Sequence, residues 1–139
     1  MTAREITEQL EHLVSSPDFP GLSAELVASW NSANVGVEAV EPILRFIENH
    51  PGIDFGMPGA LVHFSEKFYL HGYEEKLLES IARKPTRHTM WMLNRVINGA
   101  NVPAIRQRFV DAMIRAKLHP QADQNALNQI DRFLQRLGN

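Results

Sequence analysis

The 139-residue chain contains no cysteine. That absence excludes a disulfide framework, a thiolate zinc site and a cysteine nucleophile, and it is consistent with a reducing compartment. Apolar residues make up 44% of the chain and charged residues 22%. This is the composition of a globular protein that can bury a core without covalent cross-links.

Targeting signals are also missing from the sequence. The first residues, MTAREITEQLEHLV, are acidic where a secretory signal needs a basic start followed by an apolar run. No apolar stretch approaches the roughly 20 residues of a membrane-spanning helix. We therefore expect a cytoplasmic protein that makes no membrane contact.

Strand signals are scarce, because no run alternates apolar and polar residues with β-branched enrichment. Apolar residues recur at helical spacing instead, as in the stripe of Ile6, Leu10 and Val14. Thr2 and Glu5 form a capping-box pattern in front of that stripe. Eight such stripes predict an all-α fold of about eight helices, packed as antiparallel pairs in an α-solenoid of the HEAT type or as an irregular helical bundle.

Polar caps and prolines predict where individual helices begin. Ser23 is expected to open the second helix, and Pro58 a later helix that runs through Phe68. Thr86 is the expected N-cap of the helix that carries Trp91. The longest predicted loop, 50–59, holds three glycines and two prolines and is the best candidate for a functional or hinge loop.

Three helices are predicted to end before Pro51, Pro85 and Pro120, which are 34 and 35 residues apart. Such a period is typical of stacked helix pairs. We expect one helical domain over residues 1–139, with acidic N-terminal helices in 1–50 and repeat-like helix pairs in 51–139.

Charge is unevenly distributed along the chain. Residues 1–70 contain 10 acidic and 3 basic residues, a net −7, whereas residues 71–139 contain 6 acidic and 11 basic residues, a net +5. The asymmetry either reflects solvated helix faces or predicts a molecule whose two parts attract different partners.

The stretch RKPTRHTMWMLNRVING, residues 83–99, places a tryptophan among cationic side chains. At about 100° per residue, the apolar residues of this helix fall in one arc and Trp91 falls among Arg87, His88 and Arg95 in another. Trp91 is therefore expected either to pack against a neighbouring helix pair or to contact a partner.

Aligning the helices that follow the three prolines extends this face into a continuous surface. Trp91 then matches Val62, and Arg95 matches Glu66 and Arg132. Aromatic and arginine side chains in a polar surround are typical of interface hot spots. The predicted partner-binding surface comprises Val62, Glu66, Tyr69, Arg87, His88, Trp91, Arg95, Asn98 and Arg132.

Catalytic and metal-binding patterns are not found in the sequence. The six histidines are scattered through different elements and form no zinc-peptidase or di-iron spacing, and no phosphate loop or nucleophile elbow occurs. We expect no catalytic residues, no metal and no cofactor. Arg83, Lys84 and Arg87 cluster, but a pI near 6.3 argues against nucleic-acid binding.

The segment GALVHFSEKFYLHGYEEKLLESIARKPTRHTMWMLNRVING resembles small helical immunity proteins of bacterial polymorphic-toxin and contact-dependent inhibition systems, above all in LVHFSEKFY, GYEEKL and KPTRHTMWMLNR. The resemblance implies a protein without catalysis of its own that binds and neutralises a toxin encoded beside it. Occlusion of the toxin's active site or substrate groove is the expected mechanism. The alternatives are a helical-repeat interaction scaffold unrelated to toxins and an enzyme whose site the sequence does not display.

Overall fold

A computed structural model describes residues 1–138. Within that range the chain forms helices and turns and no strand, which confirms the predicted all-α fold. The helices are α1 (Ala3–Glu11), α2 (Phe19–Ser32), α3 (Val40–Asn49), α4 (Ala60–Glu66), α5 (Tyr73–Arg83), α6 (Arg87–Gly99), α7 (Pro103–Ala116) and α8 (Gln124–Arg136), and a 3-10 turn at Val37–Ala39 precedes α3. None of the helices in these 138 residues has both the length and the apolar character needed to cross a bilayer.

The chain divides into two compact units, Met1–Lys76 and Leu77–Asn139. The division falls within α5 rather than after residue 50, where the sequence suggested a change from acidic helices to repeat-like pairs. That the whole chain is a single helical domain stays a prediction.

In the first unit, the helices that pack most extensively are α1 with α3 and α2 with α4. Each of these helices thus packs mainly on the helix two positions along the chain. Whether the helices form a solenoid or an irregular bundle stays a prediction.

Aromatic side chains form much of the core of the first unit. The rings of Phe19 and Phe46 stack with centroids 5.8 Å apart, and Phe55 meets Phe19 edge-on at 5.5 Å. Trp30 is 1% exposed and meets Phe64 edge-on at 5.4 Å. Ring pairs of this geometry add to the stabilisation that burial alone provides.

The buried Trp30 also has a hydrogen-bond partner. Its indole Nε1–H donates to the side-chain oxygen of Gln9 at 2.8 Å, which joins α2 to α1. Glu11 and His50 make a second link from α1, since the His50 Nε2 lies 2.9 and 3.0 Å from the two carboxylate oxygens. The polar edge of α1 is therefore tied to two other parts of the unit.

In the second unit, α6 packs against both α7 and α8, and α7 also contacts α8. The buried side chains are mainly aliphatic or methionine, and Leu93 is completely buried. Phe109 is 3% exposed. Helical spacing places both residues on the apolar face of their helix, and the structure buries them.

The predicted capping box of α1 and the predicted N-cap of α6 are both present. Thr2 and Glu5 cap α1, and Thr86 is the N-cap of α6. The start predicted for α2 is wrong, because Asp18 caps the helix five residues earlier than Ser23 by accepting from a backbone N–H at 3.2 Å. A proline in the first turn suits this earlier start, and Ser23 lies buried inside the helix.

The predicted end of α4 also needs correction. The helix begins just after Gly59, near Pro58 as expected, but it ends at Glu66, so Phe68 lies beyond it. The loop 50–59 before α4 is fixed at Phe55, which is 2% exposed. Gly59 has φ +94°, and a Cβ there would lie 1.8 Å from the Phe55 carbonyl oxygen, so this turn requires glycine.

The three prolines follow helix ends as predicted. Pro51 and Pro85 each lie two residues beyond the last residue of α3 and α5. Pro120 comes four residues after the end of α7. Each proline therefore marks the end of a helix correctly.

Candidate partner-binding surface

The candidate surface is carried by α6, whose start is fixed by a reciprocal cap. The Thr86 hydroxyl accepts from the Thr89 N–H at 3.1 Å, and the Thr89 hydroxyl accepts from the Thr86 N–H at 3.0 Å. Thr86 is 1% exposed and Thr89 is fully buried. Because two otherwise unpaired backbone donors are satisfied away from water, the first turn of α6 is firmly positioned.

The buried arc of α6 is wider than the sequence predicted. Met90, Leu93, Val96 and Ile97 are buried as expected, but Met92 is also only 1% exposed. At about 100° per residue the buried positions span roughly 200°. The cause is that α6 packs on two neighbours, α7 and α8, instead of one.

The remaining arc of α6 is exposed, and Trp91 lies at its centre. Arg87 and Asn98 are exposed, and Trp91, Asn94 and Arg95 are partly exposed. These five positions fall within about 100° of the helix circumference. Trp91 therefore sits in the middle of a polar and cationic stripe, as the sequence predicted, and Asn94 is the one member that was missed.

His88 occupies the border between the two arcs. It is 9% exposed, and its ring meets that of Trp91 edge-on at 5.9 Å with an interplanar angle of 76°. His88 is thus placed to support the Trp91 ring from the side and offers little surface to a partner. The prediction that it contributes to the exposed surface is wrong, because the wide buried arc of α6 includes its position.

Arg132 lies on α8, the helix that packs most extensively against α6. It is exposed, whereas Ile130 and Phe133 on either side of it are buried. The second unit therefore contains six of the nine predicted surface residues. Five of those six, all except His88, are at least partly exposed.

The other three predicted residues belong to the first unit, and Val62 is wrong as a surface residue. It is completely buried, because the seven-residue helix α4 buries four of its residues and Val62 is one of them. Glu66 is partly exposed at the end of α4, where its carboxylate lies 3.6 Å from the Nδ1 of His63.

Tyr69 does not lie on a helix. The alignment of α4 with α6 required it to lie on one, at the position that matches Asn98 of α6. The helix α4 ends at Glu66, and Tyr69 lies in the turn that follows. Burial raises the pKa of the Tyr69 hydroxyl, and the Glu74 carboxylate raises it further. The proposed equivalence of α4 and α6 therefore fails, since the two helices differ in length and in which faces they bury.

Charge also separates this surface from the first unit. Residues 77–139 carry 4 acidic and 10 basic residues, a net +6, whereas residues 1–76 carry 12 acidic and 4 basic residues, a net −8. The Trp91 stripe, with Arg87 and Arg95, thus belongs to the cationic unit. Throughout residues 1–138, no group of three or more histidine, aspartate or glutamate side chains is arranged to hold a metal ion.

Comparison with known proteins adds no relative to this description. No family model matches the chain, and no curated protein or solved structure shows significant similarity to it.

Proposed function

We propose that the protein is a non-catalytic binding protein that uses the exposed stripe of α6 to cover a site on a protein partner. The observation that carries the proposal is the position of Trp91, which is partly exposed at the centre of a stripe of polar and cationic side chains. Large aromatic and arginine side chains supply most of the energy at protein interfaces, and they cluster near the interface centre.

Neighbouring residues restrict the position of the Trp91 side chain before any partner binds. His88 contacts its ring edge-on, and the capping box of Thr86 and Thr89 fixes the turn that precedes it. Because the side chain is already held in place, little conformational entropy is lost when a partner binds. The stripe can thus act as a preformed surface.

Charge favours a partner with an acidic site. The second unit has a net charge of +6, and Arg87 and Arg95 flank Trp91 in the stripe. Opposite charge accelerates encounter and orients the two proteins, and it does so most at low ionic strength. A carboxylate on the partner that meets the planar Arg95 guanidinium would add geometric specificity.

The partner that we propose is a bacterial toxin domain, and the protein would act as its immunity protein in the cytoplasm. This step is supported by the resemblance of the segment 59–99, which contains the α6 stripe, to immunity proteins of polymorphic-toxin systems. Neutralisation would occur by occlusion, in which α6 covers the active site or the substrate groove of the toxin.

A growth-protection assay tests the proposal. The polypeptide encoded beside this chain's gene is produced in a host whose growth it arrests, and the chain is supplied at a fixed level. We expect the native chain to restore growth and Trp91→Ala to fail. Arg106→Ala is the matched control, because Arg106 is exposed on α7, outside the stripe.

Two results would reject the proposal. If the neighbouring polypeptide does not arrest growth, the protein is not an immunity protein of that kind, and an unrelated interaction scaffold becomes the better reading. If growth is restored equally by the native chain and by soluble, folded Trp91→Ala, the binding surface lies elsewhere in the molecule.

A further inference from the structure

A second concave surface lies between α5 and α7 in the second unit, away from the residues of the α6 stripe. It is a half-open groove of about 350 Å³. Its apolar lining includes Leu78 and Ile81 from α5 together with Ala112 and Ala116 from α7. The two alanines leave room between the helices, and this room is why a groove exists there.

The α7 side of the groove follows a regular spacing. Arg108, Ala112 and Arg115 line it at successive intervals of four and three residues, and His119 lines it from the turn beyond the helix. Ile105 lies three residues before Arg108, on the same helical face, and is 50% exposed. Alternating steps of three and four residues are the spacing with which one α-helix presents a seam to another.

The charged part of the seam is cationic. Arg115 is exposed and makes no ion pair within the described residues 1–138, and Arg108 is also exposed. By contrast, Lys117, the C-cap residue of α7, is paired with Asp131 at 2.8 Å. Arg115 therefore differs from Lys117, whose charge is met by a neighbouring helix.

One end of the groove is closed by a fixed histidine. The His119 Nε2 donates to the Ala82 carbonyl oxygen at 2.8 Å, and its Nδ1 accepts from the Gln121 N–H at 3.0 Å. Both ring nitrogens are thus used to hold the turn after α7 against the end of α5. The groove is consequently preformed at this end.

We infer that this groove binds an acidic amphipathic α-helix of a partner protein. Apolar side chains of that helix would pack onto Leu78 and Ile81, and its carboxylates would meet Arg108 and Arg115. The seam spacing favours a helical occupant, since a helix packed on α7 presents its own side chains at matching intervals. The cationic border selects an acidic helix by charge complementarity.

Two other occupants fit the groove less well. A nucleic-acid strand would find arginines for its phosphates, but the lining has no Phe, Tyr or Trp on which a base could stack, and its one ring, His119, is held against α5 by a hydrogen bond. The same face of a second copy would bring Arg108 and Arg115 against identical cations, and such a contact between like charges is unfavourable.

The test uses the full chain and a fluorescein-labelled synthetic helix of about three heptads, with leucine at the seam positions and glutamate beside them. A second peptide with lysine in place of each glutamate is its control. Binding is measured by fluorescence anisotropy. The double variant Arg108→Glu/Arg115→Glu is compared with Arg106→Glu/Arg136→Glu, which makes the same change of charge outside the groove.

We expect the native chain to prefer the acidic peptide and to lose affinity as salt is raised. The groove double variant should bind that peptide at least about tenfold more weakly and should prefer the lysine peptide, whereas the control double variant should keep the native preference. If the groove double variant does not fold, Leu78→Glu, at a partly exposed position, supplies the same repulsion and should produce the same loss.

The inference is overturned if both peptides bind equally, or if both double variants bind the acidic peptide as the native chain does. It is also overturned if the acidic peptide fails to bind while a labelled oligouridine binds and requires Arg108 and Arg115. Sedimentation showing a dimer of the native chain that the groove double variant abolishes would make a second copy the occupant, and this result too would reject the inference.

Discussion

The two units of this chain place their aromatic residues differently. The first unit, Met1–Lys76, contains eight of the eleven aromatic residues, and the second contains the other three. In the first unit, Trp30 and its neighbouring phenylalanine rings fill the core. In the second unit, two phenylalanines are buried in a largely aliphatic core and Trp91 remains partly exposed.

This difference indicates where a binding function is best sought. A tryptophan in an aromatic core is explained by packing, whereas Trp91 lies outside a core that Met90, Met92 and Leu93 already fill. The two units also carry opposite net charges, −8 and +6. Variants in each unit test whether its aromatic residues serve packing or binding.

The largest effect is expected in the aromatic core. Trp30→Ala should lower the free energy of unfolding by about 3–5 kcal/mol, because it removes a large buried ring and leaves a cavity. Denaturant unfolding followed by far-UV circular dichroism measures the loss. Trp30→Phe is the control: it keeps a ring against Phe64 but loses the donor to Gln9, and it should cost less. Equal losses for the two variants would contradict a role for the ring in packing.

The aliphatic core is tested by Leu93→Ala. We expect a loss of about 2–5 kcal/mol in the free energy of unfolding, since Leu93 is completely buried on α6. Met92→Ala tests the wider buried arc in the same way, and its loss should exceed that of Asn94→Ala on the exposed side. If the loss for Met92→Ala were no greater than for Asn94→Ala, the assignment of the helix faces would be wrong.

A smaller effect is expected at the start of α6. Thr86→Ala removes a buried N-cap hydroxyl and should cost about 1 kcal/mol of unfolding free energy. Thr86→Ser keeps the hydroxyl and should cost less. Thermal melts of both variants check this order. Equal losses would show that the threonine methyl group, which both variants lack, matters and the cap does not.

The smallest effect concerns the acidic unit and its pH dependence. The backbone N–H of Thr2 holds the pKa of the Glu5 carboxyl below its ordinary value, and the Thr2 side chain lowers it further. Since the folded-state pKa is depressed, the stabilisation is present above the unfolded pKa and is lost as pH falls through the folded pKa. Urea unfolding between pH 6 and pH 3 should therefore show a weaker loss of stability in Glu5→Gln than in the native chain. Identical pH profiles would show that the cap does not form in solution.

Local signals in the sequence identified some helix starts and missed others. The capping box at Thr2 and the N-cap at Thr86 were predicted because each signal is local. The reciprocal bond from Thr89 to Thr86 was missed, since the sequence pattern has Glu or Gln at that position. The start of α2 was missed because Asp18 and Ser23 are both suitable caps, and spacing alone does not decide between them. Similarly, helical periodicity extended α4 through Phe68, whereas the structure ends it at Glu66.

Burial was harder to predict where it depends on tertiary packing. Helical spacing placed Leu93 and Trp91 on the correct sides of α6, but it could not show that two neighbouring helices also cover Met92 and His88. Val62 was placed on the surface by aligning α4 with α6, and these two helices differ in length and in the faces that they bury. The α5–α7 groove was also missed, although the three- and four-residue steps along α7 were visible in the sequence.

If Trp91 serves binding and not folding, its loss should change the affinity for the partner and leave the stability of the chain nearly unchanged. The native chain, Trp91→Ala and Arg106→Ala are titrated calorimetrically against the growth-arresting polypeptide, and their unfolding free energies are measured in parallel. We expect Trp91→Ala to weaken binding by roughly 2 kcal/mol, about 30-fold in Kd. The unfolding free energy of this variant should stay within about 1 kcal/mol of the native value. A large loss of stability with an unchanged Kd would make Trp91 a packing residue and contradict the account.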